Sequence, residues 1–232
     1  MKTNNSKICF VLIAGFSSDS QQIWKLGDVL KLAGYSVVVS SFYGEAEVDD
    51  FSKLTEKECI NNISALINKS ADSYEHVYGI GISLGGALLL EYAKKETGLS
   101  GIVSVGTPFL LRNIRWIRLG IIFFPIIYPS WKHLQRIKKF RLSPIGAVTM
   151  AVDYMEGKFL ENLDKITTPT LFLHSKKDSV TDYRVLEKYA ELLSAAKHKT
   201  IYFDNGNHVV DNNPMLIVKQ AVDFFGLESA EV

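Results

Sequence analysis

Three side chains far apart in this 232-residue chain could together activate an alcohol for attack on a carbonyl. Ser83 lies in Gly81-Ile82-Ser83-Leu84-Gly85, after the apolar run His76 to Ile80 and before a helix-forming stretch from Gly86 to Lys95. A serine between glycines at a sharp strand-to-helix turn is the pattern of a nucleophile elbow. The glycines leave room for a crowded backbone, and the turn lifts the hydroxyl clear of the sheet. A serine hydroxyl attacks poorly unless a base takes its proton and an acid fixes the base's tautomer and offsets its charge. Asp178 follows the strand-like run Leu171 to Ser175, and His208 follows the run Ile201 to Asp204 and the turn Asn205-Gly206-Asn207. Both therefore fall at the carboxyl edge of a parallel sheet, where chemistry in open α/β sheets collects. The chain order Ser, Asp, His is the one such a sheet requires.

Each residue also has a plainer reading. The Gly81 to Gly85 stretch could be a tight junction only, Asp178 a cap for a helix beginning near Asp182, and His208 a satisfied loop histidine. Asp182, Asp204 and Asp211 are rival acids. Asp182 is predicted to lie within the next helix, and Asp204 and Asp211 are too close to His208 in sequence to approach its ring easily, so Asp178 is preferred. An oxyanion formed at Ser83 would need preorganised N–H donors, each worth ~3 kcal/mol. Leu84 N–H, at the start of the following helix, is one candidate. Phe16 N–H, in the loop Gly15-Phe16-Ser17-Ser18 after the first strand, is the other.

The elements that must position these groups alternate regularly. Short Val-, Ile- and Phe-rich runs predict strands near 8–14, 35–40, 76–82, 100–105, 169–175 and 199–204, and 3.6-residue patterns predict helices near 20–33, 55–70, 84–96, 182–195 and 213–226. Gly34 and Gly98 are expected helix stops. This is the signature of one α/β domain, a mostly parallel six-stranded sheet with helices on both faces. At 47% hydrophobic and 22% charged residues the chain has ordinary globular composition. Cys9 and Cys59 form neither a metal-ligand pattern nor a disulfide framework, which fits a reducing, cytoplasmic setting. No cofactor or metal is expected. Lys2 and Lys7 ahead of Ile8 to Ala14 superficially resemble a secretory signal, but that run is needed as the strand leading into Gly15-Phe16.

One segment breaks the alternation. Residues 108–160 separate two strands and are too long for an ordinary connection, so they read as an insertion that divides the core into 1–107 and 161–232. From Thr97 to Val152 there is no acid, yet Arg112, Arg115, Arg118, Lys132, Arg136, Lys138, Lys139 and Arg141 contribute +8, leaving −7 elsewhere from a net of +1. Trp116, Phe123, Phe124, Tyr128 and Trp131 are interleaved with them. Such a surface suits peripheral contact with an anionic membrane, each basic side chain there contributing ~1 kcal/mol. The plainer reading is a solvated basic face over an apolar lining. No nucleic-acid-binding motif accompanies the patch.

Taken together these motifs resemble the α/β-hydrolases of the carboxylesterase and monoacylglycerol lipase group over nearly the whole chain. Ala14-Gly15-Phe16 stands where that group has His-Gly-Phe, and the match extends through Gly86 of the serine motif, the Gly101 to Pro108 strand and turn, and the Asp178 and His208 loops. The resemblance implies Ser83 as nucleophile, His208 as base, Asp178 as acid, and Phe16 and Leu84 as oxyanion donors. It also implies a cap at 108–160 over an acyl pocket, and a small apolar ester, monoacylglycerol-like or of short to medium acyl length, as substrate. Ala14 departs from the usual histidine, which bears on loop bracing more than on reaction class, since the donors are backbone groups. Thioester hydrolysis or acyl transfer would use the same three residues. A module that binds an apolar ligand without turning it over is the alternative from another class.

Overall fold

The computed structural model describes residues 5–15, 20–42, 55–115, 151–155, 157–195, 197–208 and 213–228. Six strands, β1 (Ile8–Ile13), β2 (Ser36–Ser40), β3 (His76–Ile82), β4 (Gly101–Val105), β5 (Thr170–Ser175) and β6 (His198–Phe203), form one sheet of order β2-β1-β3-β4-β5-β6. Every neighbouring pair is parallel. All six carboxyl ends therefore meet at one edge. The order reverses between β1 and β3, and a crevice opens at such a switch point. Ser83 follows β3 there.

Period-two alternation sends one set of strand residues to each face. Ile8, Phe10 and Leu12 of β1 pack with Tyr78, Ile80, Val103, Leu171 and Leu173 beneath α1 (Ser20–Leu32) and α5 (Pro214–Phe225). Cys9, Val11 and Ile13 face the opposite side with Phe172, covered by α2 (Glu56–Ala71), α3 (Leu84–Ala93) and α4 (Leu186–Ala190). Helix α3 is buried at every residue from Leu84 to Ala93, as a helix apolar all round must be. It lies close on β3 because that face of the strand carries glycines. A Cβ on Gly79 would stand 2.9 Å from Leu89 Cδ1, and one on Gly81 2.4 Å from the Gly86 nitrogen.

Local signals set the other helix ends. Thr55 and Glu58 form a reciprocal capping box at the start of α2, and Asn213 with Pro214 opens α5, which Gly226 closes at φ 68°. Gly34 follows α1 at φ 87°. Two expectations are corrected. Helix α3 ends at Ala93 and not at 96, so Gly98 is not its stop. Gly98 instead leaves room for Tyr92, whose hydroxyl would lie 2.3 Å from an added Cβ and donates to Asn68 Oδ1. The helix predicted over 182–195 is a 3-10 turn, Tyr183–Val185, followed by the short α4. The residues before it are held extended by pairing with the segment after β4: Leu111 bridges Thr181, Arg112 N donates to Val180 O, and Asp182 N donates to Leu110 O.

The described ends of the long insertion are built into the core. Phe109 packs against Phe159, Phe172 and Tyr189, and Tyr154, Met155 and Phe159 are buried. Lys94, directly after α3, donates to Glu91 Oε2 and Phe159 O, both at 2.7 Å, and Tyr154 donates to the same Glu91 oxygen. Residues 116–150, which carry most of the predicted basic and aromatic surface, lie outside the described residues. Among the described residues no helix is long and apolar enough to cross a membrane.

Phe10 is fully buried and its ring stacks on Tyr78 at 5.4 Å and meets Tyr35 edge-on at 5.1 Å. Phe10→Ala is expected to cost about 3–5 kcal/mol in urea unfolding monitored by circular dichroism, as core phenylalanine truncations do. A loss under about 1 kcal/mol would mean that β1 is not the centre of this core.

Candidate active site

Ser83 sits between β3 and α3 with φ 52° and ψ −119°, a conformation that costs a non-glycine residue of order 1–3 kcal/mol. The surroundings hold it there. Ser83 N donates to Val105 O at 2.8 Å, Gly86 N donates to Ser83 O, and Thr107 Oγ1 donates to the same carbonyl. Ser104 in turn donates to Thr107 Oγ1 at 2.6 Å. The turn can be this tight only with glycine at its flanks, since a Cβ on Gly85 would stand 2.2 Å from Ile13 O. The hydroxyl thus emerges beside the end of β1. Gly15 lies against it, and a Cβ there would meet Ser83 Cβ at 3.0 Å.

The loops after β5 and β6 bring up the other two side chains. Ser83 Oγ–H donates to His208 Nε2 at 2.8 Å, and His208 Nδ1–H donates to Asp178 Oδ2 at 2.9 Å. The imidazole therefore presents a lone pair to the serine and its proton to the acid. The loops are tied to each other. Asn207 Oδ1 accepts from Ser179 N, Ser179 Oγ and His208 N, while Ser175 Oγ donates to Gly206 O. Gly106, at φ 59°, forms the floor: a Cβ there would stand 2.4 Å from His208 O.

Asp178 is 1% exposed, against 16% for the His208 side chain. Burial by itself pushes its carboxyl toward the neutral form. Hydrogen bonds from His174, His208 and Thr181, with the charge of His208, outweigh that and hold the group far below the usual carboxylate range. Its Oδ1 accepts from Val180 N at 2.7 Å and Thr181 N at 2.9 Å, and its Oδ2 also accepts from Thr181 Oγ1 at 2.6 Å. The helix cap that competed with an acid role in the sequence is not what the structure shows: Asp178 closes the turn of its own loop, and the 3-10 turn at Tyr183–Val185 is capped by Asp182.

The rival acids are engaged elsewhere. Asp182 binds Arg184 through both oxygens and faces Arg112, and the Arg184 hydrogen bonds lower its carboxyl to about 2. Asp204 is exposed and paired with Lys176 at 2.9 Å. Asp211 lies outside the described residues. Of the expected oxyanion donors, Leu84 begins α3, where the first N–H groups have no partner within the helix. Phe16 lies outside the described residues, directly after Gly15. Sequence reasoning missed His174 and Thr181. The available signal was a histidine directly after the apolar residues Leu171, Phe172 and Leu173, four residues before Asp178. Among the described residues no group of three or more His, Cys, Asp or Glu side chains is arranged to hold a metal ion.

No known family model matches the chain. The thermostable monoacylglycerol lipase of Bacillus sp. (strain H-257) is 20% identical over 233 residues, spanning 95% of this chain and 91% of that protein. One of two metagenome-derived lipolytic enzymes superposes with a TM-score of 0.76 at 17% identity, covering 97% of this chain and 96% of its own. A soluble variant of the Saccharomyces cerevisiae monoglyceride lipase, solved with a substrate analog, gives 0.70 at 17% identity over 96% and 88% of the two chains. The Paleococcus ferrophilus monoacylglycerol lipase gives 0.69 at 18% identity over 94% and 93%. The fold is that of an α/β-hydrolase, and the chain resembles the monoacylglycerol lipase and esterase group within it.

The depressed carboxyl makes a pH prediction. Folded Asp178 binds its proton less readily than in the unfolded chain, so its contribution to stability is complete above the unfolded carboxyl pKa, about 3.9, and is lost as pH falls through and below it. Asp178→Asn removes this contribution. The difference in urea stability between the wild type and D178N is expected to narrow steadily as pH falls below about 4. Parallel curves would mean that the carboxylate is not held ionised by the fold.

Proposed function

We propose that this protein is a serine hydrolase that cleaves carboxylic esters of apolar acyl chains through an acyl-enzyme. The single observation that carries the reading is the imidazole of His208 lying within hydrogen-bond distance of both Ser83 Oγ and Asp178 Oδ2. Ser83 Oγ attacks the ester carbonyl as His208 Nε2 takes its proton, and Asp178 stabilises the imidazolium without itself being protonated. The tetrahedral oxyanion is received by the N–H groups of Leu84 and Phe16. His208 then gives the proton to the leaving alcohol, and the acyl group stays on Ser83. Water enters, loses a proton to His208 and attacks the acyl carbonyl. Collapse releases the carboxylic acid and returns the proton to Ser83.

The likeness to monoacylglycerol lipases favours a monoacylglycerol-like ester or an ester of short to medium acyl length. In this reading residues 108–160 form the cap over the acyl pocket, and their basic and aromatic side chains bring the enzyme onto an anionic lipid surface. The two cysteines are free and buried, which supports a cytoplasmic setting.

Ser83→Ala is expected to lower kcat on p-nitrophenyl butyrate by about five to six orders of magnitude, the usual scale for a triad nucleophile, with urea stability unchanged or slightly raised. In the wild type, kcat/KM is expected to rise along a series of p-nitrophenyl esters from acetate to octanoate. Retained hydrolysis by S83A would remove the mechanism, and rates falling steadily with acyl length would remove the apolar substrate class.

A further inference from the structure

Asp178 is served by a second histidine that no step of this reaction uses. His174 stands near the end of β5, on the same face as Phe172, and is 2% exposed. Its Nε2 lies 2.7 Å from Thr181 Oγ1 and 3.1 Å from Asp178 Oδ2. Counting protons fixes the direction of each bond. The Thr181 hydroxyl has one hydrogen, and its 2.6 Å contact with the ionised Asp178 oxygen must use it, because two oxygens that close need a hydrogen between them. The hydroxyl can then only accept from His174. Nε2 therefore carries a hydrogen. Among the described residues, the buried Nδ1 has no hydrogen-bond partner, so the ring's polar contacts all run through Nε2.

We propose that His174 is a positioning residue for the triad acid: its Nε2–H, shared between Thr181 Oγ1 and Asp178 Oδ2, sets the Thr181 hydroxyl as a donor and so locks the carboxylate in the orientation that receives His208 Nδ1–H. The proposal rests on the functional reading of Ser83, His208 and Asp178 given above. Its physical content lies in where the groups are anchored. Asp178, Val180 and Thr181 all belong to the loop after β5, whereas His174 belongs to the strand itself, so the Nε2–H bond ties the loop carboxylate to the sheet. Oδ1 is held by two backbone donors and Oδ2 by Thr181, His208 and His174. Rotating the carboxylate away from His208 would break this set together, and a buried charge stripped of donors is costly. An acid that orients the base and stabilises its charged form acts in the transition state, so loosening it lowers kcat and leaves KM nearly unchanged.

Two substitutions separate this role from packing. His174→Phe keeps a planar ring but removes the donor, whereas His174→Gln returns an N–H donor on a side chain of similar reach. H174F is expected to lower kcat on p-nitrophenyl butyrate about tenfold or more, the scale of losing one hydrogen bond to a charged group, with KM within about twofold. H174Q is expected to recover most of that loss. The low-field proton resonance of His208 Nδ1–H should be sharp in the wild type and H174Q, and broadened or absent in H174F. Wild-type kcat together with a sharp resonance in H174F would overturn the proposal. So would equal impairment of H174F and H174Q with the resonance intact in both, which marks a purely steric site. If H174F does not fold, Thr181→Val, which keeps the side-chain shape and removes the relay hydroxyl, is expected to show the same kcat loss, and wild-type kcat in T181V overturns the role. Failure of the functional reading looks different: the wild type itself would hydrolyse none of the esters, while the His208 resonance would still report whether His174 orders the acid.

Discussion

A carboxylate that is 1% exposed stays ionised only if donors replace the water it has lost, and at Asp178 those donors determine the layout of the whole carboxyl edge. Two backbone N–H groups require the chain after β5 to curl around the side chain. Thr181 and His174 close the buried side, and the remaining direction is taken by His208. The imidazole then has its Nδ1 proton committed, which leaves the Nε2 lone pair for the hydroxyl of Ser83. The tautomer of His208 is thus set by the burial of Asp178.

Strain at Ser83 complements this. Ser83 occupies a positive-φ conformation unusual for a residue with a side chain, and it is kept there by bonds from β4 and Thr107 and by close packing of α3 on a glycine-lined face of β3. That cost is carried by a core in which α3 is buried throughout and both sheet faces are covered. The sheet, the elbow and the two loops are therefore parts of one arrangement. Placing the hydroxyl 2.8 Å from the imidazole requires all of them at once.

Much of this was visible in the linear chain because it follows from periodicity. Alternating Val, Ile and Phe runs put the strands within a residue of their observed ends, and the loop positions of Asp178 and His208 followed from which strand each residue came after. Features that depend on contacts between distant loops were not visible. The pairing of Leu110 to Arg112 with Val180 to Asp182 shortens the helix expected over 182–195, yet no local propensity at 182 encodes it. Gly106 reads as an ordinary turn glycine until His208 O is seen packed against it. His174 reads as one polar residue in an apolar strand, and its meaning depends on Thr181, seven residues away, sharing the same carboxylate.

The central claim is that His208, held by Asp178, makes Ser83 the reactive nucleophile. The most direct measurement is reaction of the whole chain with a p-nitrophenyl phosphonate, counting released p-nitrophenolate and mapping the adduct by peptide mass. The account predicts about one equivalent per chain, the phosphonyl group on the peptide that contains Ser83, and a rate lowered by several orders of magnitude in His208→Ala. An adduct on a different residue, or undiminished labelling of Ser83 in H208A, would contradict it.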